Sequence, residues 1–377
     1  MNISFIVTSY NIAPYIEICL TSVRACCRPG DQLVVVDDGS DDNTPEIITA
    51  ILEAQFIGGE IEVSRLFLGA NTPGGVGTAA NLGLGEATRE AVFFVDGDDW
   101  LDPVAFLLCR NRFERSSAEI LITNYAQVDE NTGKVSPPAD QRLWQQLGHR
   151  DTPPDRRAQA LSMIGVPWRK FYSRVFLQRN GLRFPEGDFF FEDNPFHWQV
   201  CLKAQDIAFV DQVVAYHRVN RVGQTMTSQG AELEAFFDHY TRIISVLPDE
   251  EFRSDALRWL LENMGWHLER LSPEAIWSYS HKAHDCLRHI AQEDWEQVRN
   301  LEICKAAWPL ARSLARGEVA AAVAVLEARI SARKLAALED KLAQISQQLQ
   351  VVENRNQNLS TMAELRALKR ALRHSEN

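Results

Sequence analysis

Three carboxylates crowd the end of one apolar run in AVFFVDGDDWLD (Ala91–Asp102): Asp96, Asp98 and Asp99. Like charges this close persist only if a cation sits among them or if each points into water. A hard divalent cation, Mn2+ or Mg2+, suits them, because carboxylate oxygens are its preferred ligands. Mg2+ takes one or two protein carboxylates and completes its shell with substrate phosphates, so the cluster points to a phosphorylated substrate such as a diphosphate. The plain alternative is a solvated turn, since Asp and Gly are ordinary turn residues. Two further polar clusters, TSYN (Thr8–Asn11) and DDGS (Asp37–Ser40), also end apolar runs. Asp37 and Asp38 could accept hydrogen bonds from a base or ribose.

The elements that must carry these clusters alternate along residues 1 to about 125. Ile3–Thr8, Gln32–Val36, Ile61–Leu68 and Ala91–Val95 read as strands, and Tyr15–Ala25, Pro45–Gln55 and Val76–Arg89 as helices. Continuous apolar strands alternating with helices predict a mostly parallel α/β sheet covered on both faces. Ligands bind beyond the carboxyl ends of such strands. All three polar clusters lie at those ends, which weighs against three unrelated turns.

Residues 126–230 are less regular. Asp151–Arg157 reads as a loop, Val166–Phe176 mixes aromatics with cations, and Phe189–Pro195 sets Glu192 and Asp193 beside three phenylalanines. Residues 231–330 have a helical pattern, with Ser272-Pro273-Glu274 as a start signal. From Leu335 a heptad runs through Leu338, Leu342, Ile345, Leu349, Val352, Asn356 and Leu359. That is a coiled-coil seam, with Asn356 as a register-fixing polar residue, and it predicts a homo-oligomer. The chain therefore divides into 1–230, 231–330 and a tail, 331–377. The tail ends in LRALKRALR (Leu365–Arg373), a cationic stretch that keeps peripheral membrane contact open.

Composition removes several classes. The chain has 377 residues and a net charge of −12, against a general nucleic-acid surface. Its seven cysteines have no zinc-ligand spacing and read as reduced thiols. The beginning MNISFIVTSYN does not read as a signal peptide, and no 18-residue apolar run exists. A cytoplasmic location, at most at the inner face of a membrane, is expected.

Five segments together resemble the family 2 glycosyltransferases of the GT-A fold: TSYN, VVVDDGSDDNT (Val34–Thr44), GVGTAANLGL (Gly75–Leu84), FFVDGDDWLD and FFFEDNPF (Phe189–Phe196). The resemblance covers about residues 1–220. It implies that Thr8, Tyr10, Asn11, Asp37 and Asp38 hold the nucleotide of a nucleotide-diphosphate sugar, with UDP favoured. Asp96-Gly97-Asp98 resembles the family's DxD motif, with Asp98 the direct metal ligand, Asp96 on ribose or a metal-bound water, and Asp99 orienting the sugar. Asp193 would be the general base, with Glu192 beside it. His217 stands where some relatives close the metal shell. The family often has Arg before Asn in the glycine segment, whereas Ala80 precedes Asn81 here, so Lys170 or Arg174, near Trp168, would supply a phosphate or sugar contact. Gly97 stands where the family more commonly has Ser. The implied acceptor is a glycan, lipid-linked or protein hydroxyl in bacterial surface polysaccharide or glycoconjugate synthesis.

Each residue also has an ordinary reading. His217 could be a hydrogen-bonded structural His, Glu192-Asp193 an acidic pair at a helix start, and Trp168, Lys170 and Arg174 simple packing. A rival enzyme class is an NAD-dependent oxidoreductase, since Gly75-x-Gly77-x-x-Ala80 matches the dinucleotide fingerprint. A non-catalytic coiled-coil scaffold with a degenerate transferase domain is the other. One base without a second nucleophile favours direct displacement, hence inversion.

Overall fold

The computed structural model describes every residue except 57, 148–154, 222, 225–227, 249 and 376–377, and no side chain at 355, 356, 358–360 or 370–375. Strands β1 (Ile3–Ser9), β2 (Gln32–Asp37), β3 (Glu62–Phe67) and β4 (Ala91–Asp96) are separated by helices α1 (Ile16–Cys26), α2 (Thr44–Gln55) and α3 (Gly77–Glu86). The four strands are parallel, in the order β3-β2-β1-β4. β1 and β2 are buried along their whole length, and β4 up to its last residue. Burial on both faces is why they read as unbroken apolar runs. The register sets Ser9 beside Asp37 and Thr8 beside Asp96, so the polar clusters share one rim.

Beyond β4 the sheet is mixed. The chain continues as β5 (Trp100–Leu101), α4 (Pro103–Glu114), β6 (Ile120–Asp129), β7 (Val135–Ser136), α5 (Gln141–Leu147), α6 (Arg156–Ser162), β8 (Lys170–Ser173), α7 (Arg174–Arg179), α8 (Asp193–Lys203) and β9 (Ile207–Val219). The order runs β4-β8-β6-β9-β5. β8 is antiparallel to β4 and β6, whereas β9 is parallel to β6. These strands escaped the sequence reading because several are very short and β9 is mostly half-exposed. The pairing of β9 with β6 shifts register at Thr123–Tyr125, and such irregularities re-aim the side chains that follow. Of the expected loop Asp151–Arg157, residues 151–154 lie outside the described residues; Asp155 caps α6, accepting from the N–H groups of Arg157 and Ala158.

Helices α9 (Ala235–Val246), α10 (Arg253–Leu268), α11 (Ile276–Leu287), α12 (Gln292–Val298) and α13 (Trp308–Ala315) follow, then α14 (Val319–Ser375). They share a core with the sheet: one apolar cluster runs from Ile6 and Val36 through Phe196 and Trp198 to Leu261, Leu314 and Ile330. The other sheet face packs Phe5, Leu33, Phe93, Phe106 and Phe171. α14 stays on this body through Arg333, whose guanidinium donates to the Leu271 carbonyl at 3.0 Å. Beyond it Leu335, Leu338, Leu342, Ile345, Leu349 and Val352 are each more than half exposed. Asn356 and Leu359 have no described side chains. All seven cysteines are free, and no helix among the described residues is long and apolar enough to cross a membrane.

At the end of the sheet away from the polar rim, one buried carboxylate ties three segments. Asp31 accepts from the N–H of Ile3 at 2.9 Å and of Arg28 at 2.7 Å, and from both terminal nitrogens of Arg110 at 2.7 Å. The two side chains are 0% and 1% exposed. Replacing Asp31 by Ala strands the guanidinium in the core. We expect a loss of about 3–5 kcal/mol in urea unfolding; a loss below about 1 kcal/mol would show that the pair contributes little.

Candidate active site

The carboxylates of Asp96, Asp98 and Asp99 offer oxygens within 4.8 Å of one another. β4 delivers Asp96, and the turn after it delivers the other two. Burial, then the neighbouring Asp99 and Asp98 charges, hold Asp96 well above the usual carboxylate range. The end of β9 answers this charge. Asp99 accepts from the backbone N–H of Arg218 and from His217 Nδ1, each at 2.8 Å. Asp98 is ion-paired with Arg221 Nε, and its backbone carbonyl accepts from Arg218 Nε at 3.0 Å. Burial alone would lower the His217 pKa, but the charges of Asp99, Asp98 and Asp96 overcome it and raise it to about 9. His217 also stacks on Trp168, with ring centroids 4.9 Å apart.

These contacts redistribute the expected roles. Asp99 spends both oxygens on β9, so it anchors that strand rather than a sugar. His217 Nδ1 is taken by Asp99, which leaves Nε2 as the nitrogen that could join a metal shell. Asp96 and Asp98 remain at the cavity wall, and an all-oxygen pair under mutual repulsion fits a hard divalent cation. Gly97 is enclosed: an added Cβ would lie 2.5 Å from Ile12 Cδ1 and 2.7 Å from the Thr8 carbonyl.

The cavity beside the cluster has a volume of about 480 Å³ and is lined by Thr8, Tyr10, Asp38, Asp96, Asp98, Trp168, Glu192, Asp193, His217 and Arg221 among others. Asp38 faces it while accepting from the Thr72 N–H and hydroxyl at 3.1 and 2.9 Å. Asp37 is instead consumed by its own turn, accepting from Ser9 Oγ, Ser40 N and Ser40 Oγ at 2.7–2.9 Å. Asn11, at φ 50°, accepts from Asp41 N at 2.9 Å. Both shape the rim that presents Asp38 and Tyr10.

The opposite wall is built by FFFEDNPF. Phe191 adopts a left-handed φ of 64°, which turns the chain so that Glu192 and Asp193 point inward. The Glu192 carboxylate accepts from Gly77 N at 2.5 Å and also bonds the Val76 N–H, so it sits on the N-terminus of α3. Burial raises its pKa to about 7. An added Cβ would lie 2.6 Å from Glu192 at Gly75 and 2.9 Å at Gly77. The glycines therefore admit a protein carboxylate where a dinucleotide fingerprint would admit a pyrophosphate, which removes the oxidoreductase reading. Glu192 clamps the α3 N-terminus while lining the cavity beside Asp193.

Asp193 opens α8 and accepts from Asn194 Nδ2 at 3.0 Å. Burial raises its pKa, and the Lys170 charge opposes the rise. Lys170 is fully buried, donating to the Gly165 and Val166 carbonyls at 3.1 and 2.5 Å; burial brings its pKa down to about 7. Its charge acts on Asp193 through space, and it is not among the residues that line the cavity. Arg174 follows Ser173, which pairs with Ala91 at the far end of β4, and its Nε donates to the Arg89 carbonyl at 2.6 Å. It cannot reach the rim. Asn81 is buried and clamps Phe184 N and O at 3.0 and 2.8 Å. Arg218 and Arg221 were missed: nothing in HRVNRVG distinguishes a site arginine from a surface one.

Residues 4–179 match the family model for glycosyl transferase family 2. The chain carries a family 2 glycosyltransferase domain. EpsH of Bacillus subtilis is 27% identical over 225 residues, covering 58% of this chain and 61% of its own. Poly(ribitol-phosphate) beta-N-acetylglucosaminyltransferase TarS of Staphylococcus aureus is 27% identical over 248 residues, 65% of this chain but 40% of TarS. The crystal structure of TarS residues 1–349 with UDP-GlcNAc superposes with a TM-score of 0.68 at 20% identity, covering 88% of this chain and 92% of that one. The mannosyltransferase PcManGT from Pyrobaculum calidifontis, with GDP-Man and Mn2+, gives 0.53 at 17% identity over 86% of each chain. At these identities the structural likeness shows a shared GT-A fold.

The glycine segment can be tested directly. Gly77→Ala should lower the melting temperature, since overpacking costs about 1–3 kcal/mol, whereas Gly85→Ala, with open space around it, should not. Equal melting of the two variants would show that the Glu192 clamp yields easily.

Proposed function

We propose that this protein is an inverting glycosyltransferase that moves a sugar from a nucleotide-diphosphate sugar, UDP-linked by preference, to an acceptor hydroxyl. The carrying observation is that Asp193 faces the same cavity as Asp96 and Asp98 from the opposite wall. Thr8, Tyr10 and Asp38 would hold the nucleotide. Asp96 and Asp98 would hold Mn2+ or Mg2+, and a bound divalent cation would stabilise charge on the diphosphate leaving group. Asp193 takes the acceptor's proton, and burial tunes its basicity toward neutral pH. A bacterial surface polysaccharide is the acceptor setting that the likeness to TarS, a poly(ribitol-phosphate) enzyme, supports. A hydrolysis screen across nucleotide sugars, with and without Mn2+, tests donor and metal together.

The exposed seam on α14 supports a homo-oligomer through this helix. Six apolar residues from Leu335 to Val352 recur in steps of three and four on one unpartnered face. Replacing Leu342 and Leu349 together by Lys should lower the mass measured by light scattering without lowering the melting temperature of the body. An unchanged mass would favour peripheral membrane contact through the basic end, which a vesicle-flotation assay would then register.

Asp193→Asn keeps the shape and removes the base. UDP binding should survive while transfer falls by about a hundredfold or more. In the wild type, transfer should decline as pH falls through a pKa above the usual aspartate value, because the proton acceptor is lost; the Asn variant should lack that limb. Transfer at near wild-type rate by Asp193→Asn would move the base elsewhere.

A further inference from the structure

Arg221 stands at the point where donor, metal and protein charge must meet. Its Nε is ion-paired with Asp98, and the pair is only 15% and 11% exposed. Its guanidinium carbon lies 5.9 Å from the Tyr15 ring centroid, and its side chain lines the cavity together with Asp96 and Thr8. The residue before the turn is fixed differently. Arg218 lies 4.6 Å over Tyr15 and 5.0 Å over Trp100, and it has its own carboxylate partner in Glu130. Asn220, at φ 65°, turns the chain between them. Arg218 is thus a fixed post, while Arg221 reaches over it to a carboxylate that the donor site also needs.

A guanidinium and a divalent cation on one carboxylate repel each other at contact distance, so the two compete for Asp98. We propose that Arg221 exchanges partners: it neutralises Asp98 in the empty site and turns to the donor's diphosphate once a divalent cation takes Asp98. The proposal rests on the nucleotide-sugar reading above. A guanidinium binds phosphate oxygens through paired N–H donors, so the displaced side chain gains a new anion as it loses the old one. The consequence is coupling. Metal alone must compete with Arg221, whereas metal with diphosphate supplies Arg221 with a substitute. Each ligand should then raise the affinity of the other by the same factor.

Calorimetric titration of MnCl2 into the full-length protein, with and without UDP, tests this on the wild type, Arg221→Gln and Arg221→Lys. Melting temperatures confirm that each variant is folded. Arg221→Gln should bind Mn2+ alone roughly tenfold more tightly than wild type (about 1.4 kcal/mol). It should also bind UDP more weakly in the presence of Mn2+, so the coupling factor shrinks. Arg221→Lys, which keeps the competing charge, should stay near wild type for Mn2+ alone. Equal or weaker Mn2+ binding by Arg221→Gln overturns the exchange while leaving the metal-dependent reading intact. A wild type that binds no Mn2+, alone or with UDP, overturns both. Mn2+ binding by the wild type with no UDP binding overturns the nucleotide reading and the second half of the exchange.

Discussion

The structure turns on the concentration of negative charge at the end of β4. Asp96, Asp98 and Asp99 stand within a few ångströms of one another in a largely buried setting. Such a cluster is unfavourable unless cations are brought to it. The last strand of the sheet brings them: His217 and the Arg218 backbone to Asp99, and Arg221 to Asp98. β9, which lies between β6 and β5, therefore also serves the cluster. Its register shift against β6, the stacking of His217 on Trp168 and the turn at Asn220 place positive charge and N–H donors against the cluster.

A second carboxylate links the two walls of the cavity. Glu192 reaches across to the first N–H groups of α3, where the helix dipole favours an anion. The glycines at 75 and 77 leave room for it. Asp193, its neighbour, is thereby held against the cavity by a contact with α3, which packs on β1 and β2 in the parallel half. Left-handed backbone occurs at Asn11, Phe191 and Asn220; Asn adopts it readily, so the strain, roughly 1–2 kcal/mol, falls on Phe191 at the cavity wall. Strain of this kind persists only where surrounding contacts fix the chain, and the residue after Phe191 is fixed by its carboxylate contact with Gly77 N.

The parallel half of the fold was legible in the sequence because β1, β2 and β4 are buried on both faces and carry their signal in every residue. The Asp cluster was legible for a similar reason: three acids in four positions is a local pattern. Roles were less legible. Asp37 and Asp38 are adjacent and identical in type, yet one closes its own turn and the other faces the cavity. Arg174 and Arg221 are the same residue type, yet β8 runs antiparallel to β4 and carries Arg174 to the far end from the cluster. The strands that decide these matters, β5 and β8, are too short to show a period.

The chain's local patterns alone carried three features: an oxygen-rich acidic cluster at a strand end, a separate acid in an aromatic segment, and a heptad tail. These follow from composition and spacing along the chain, which local periodicity encodes. Which acid meets which partner was set by the tertiary fold. Glu192 became the cap of α3, Asp99 the anchor of β9, and Arg221 the counter-ion of Asp98. Those pairings join residues 115 to 123 positions apart, from Gly77–Glu192 to Asp98–Arg221. They depend on strand direction and register, and direction and register are set by how the whole sheet buries its two faces rather than by any short stretch of sequence.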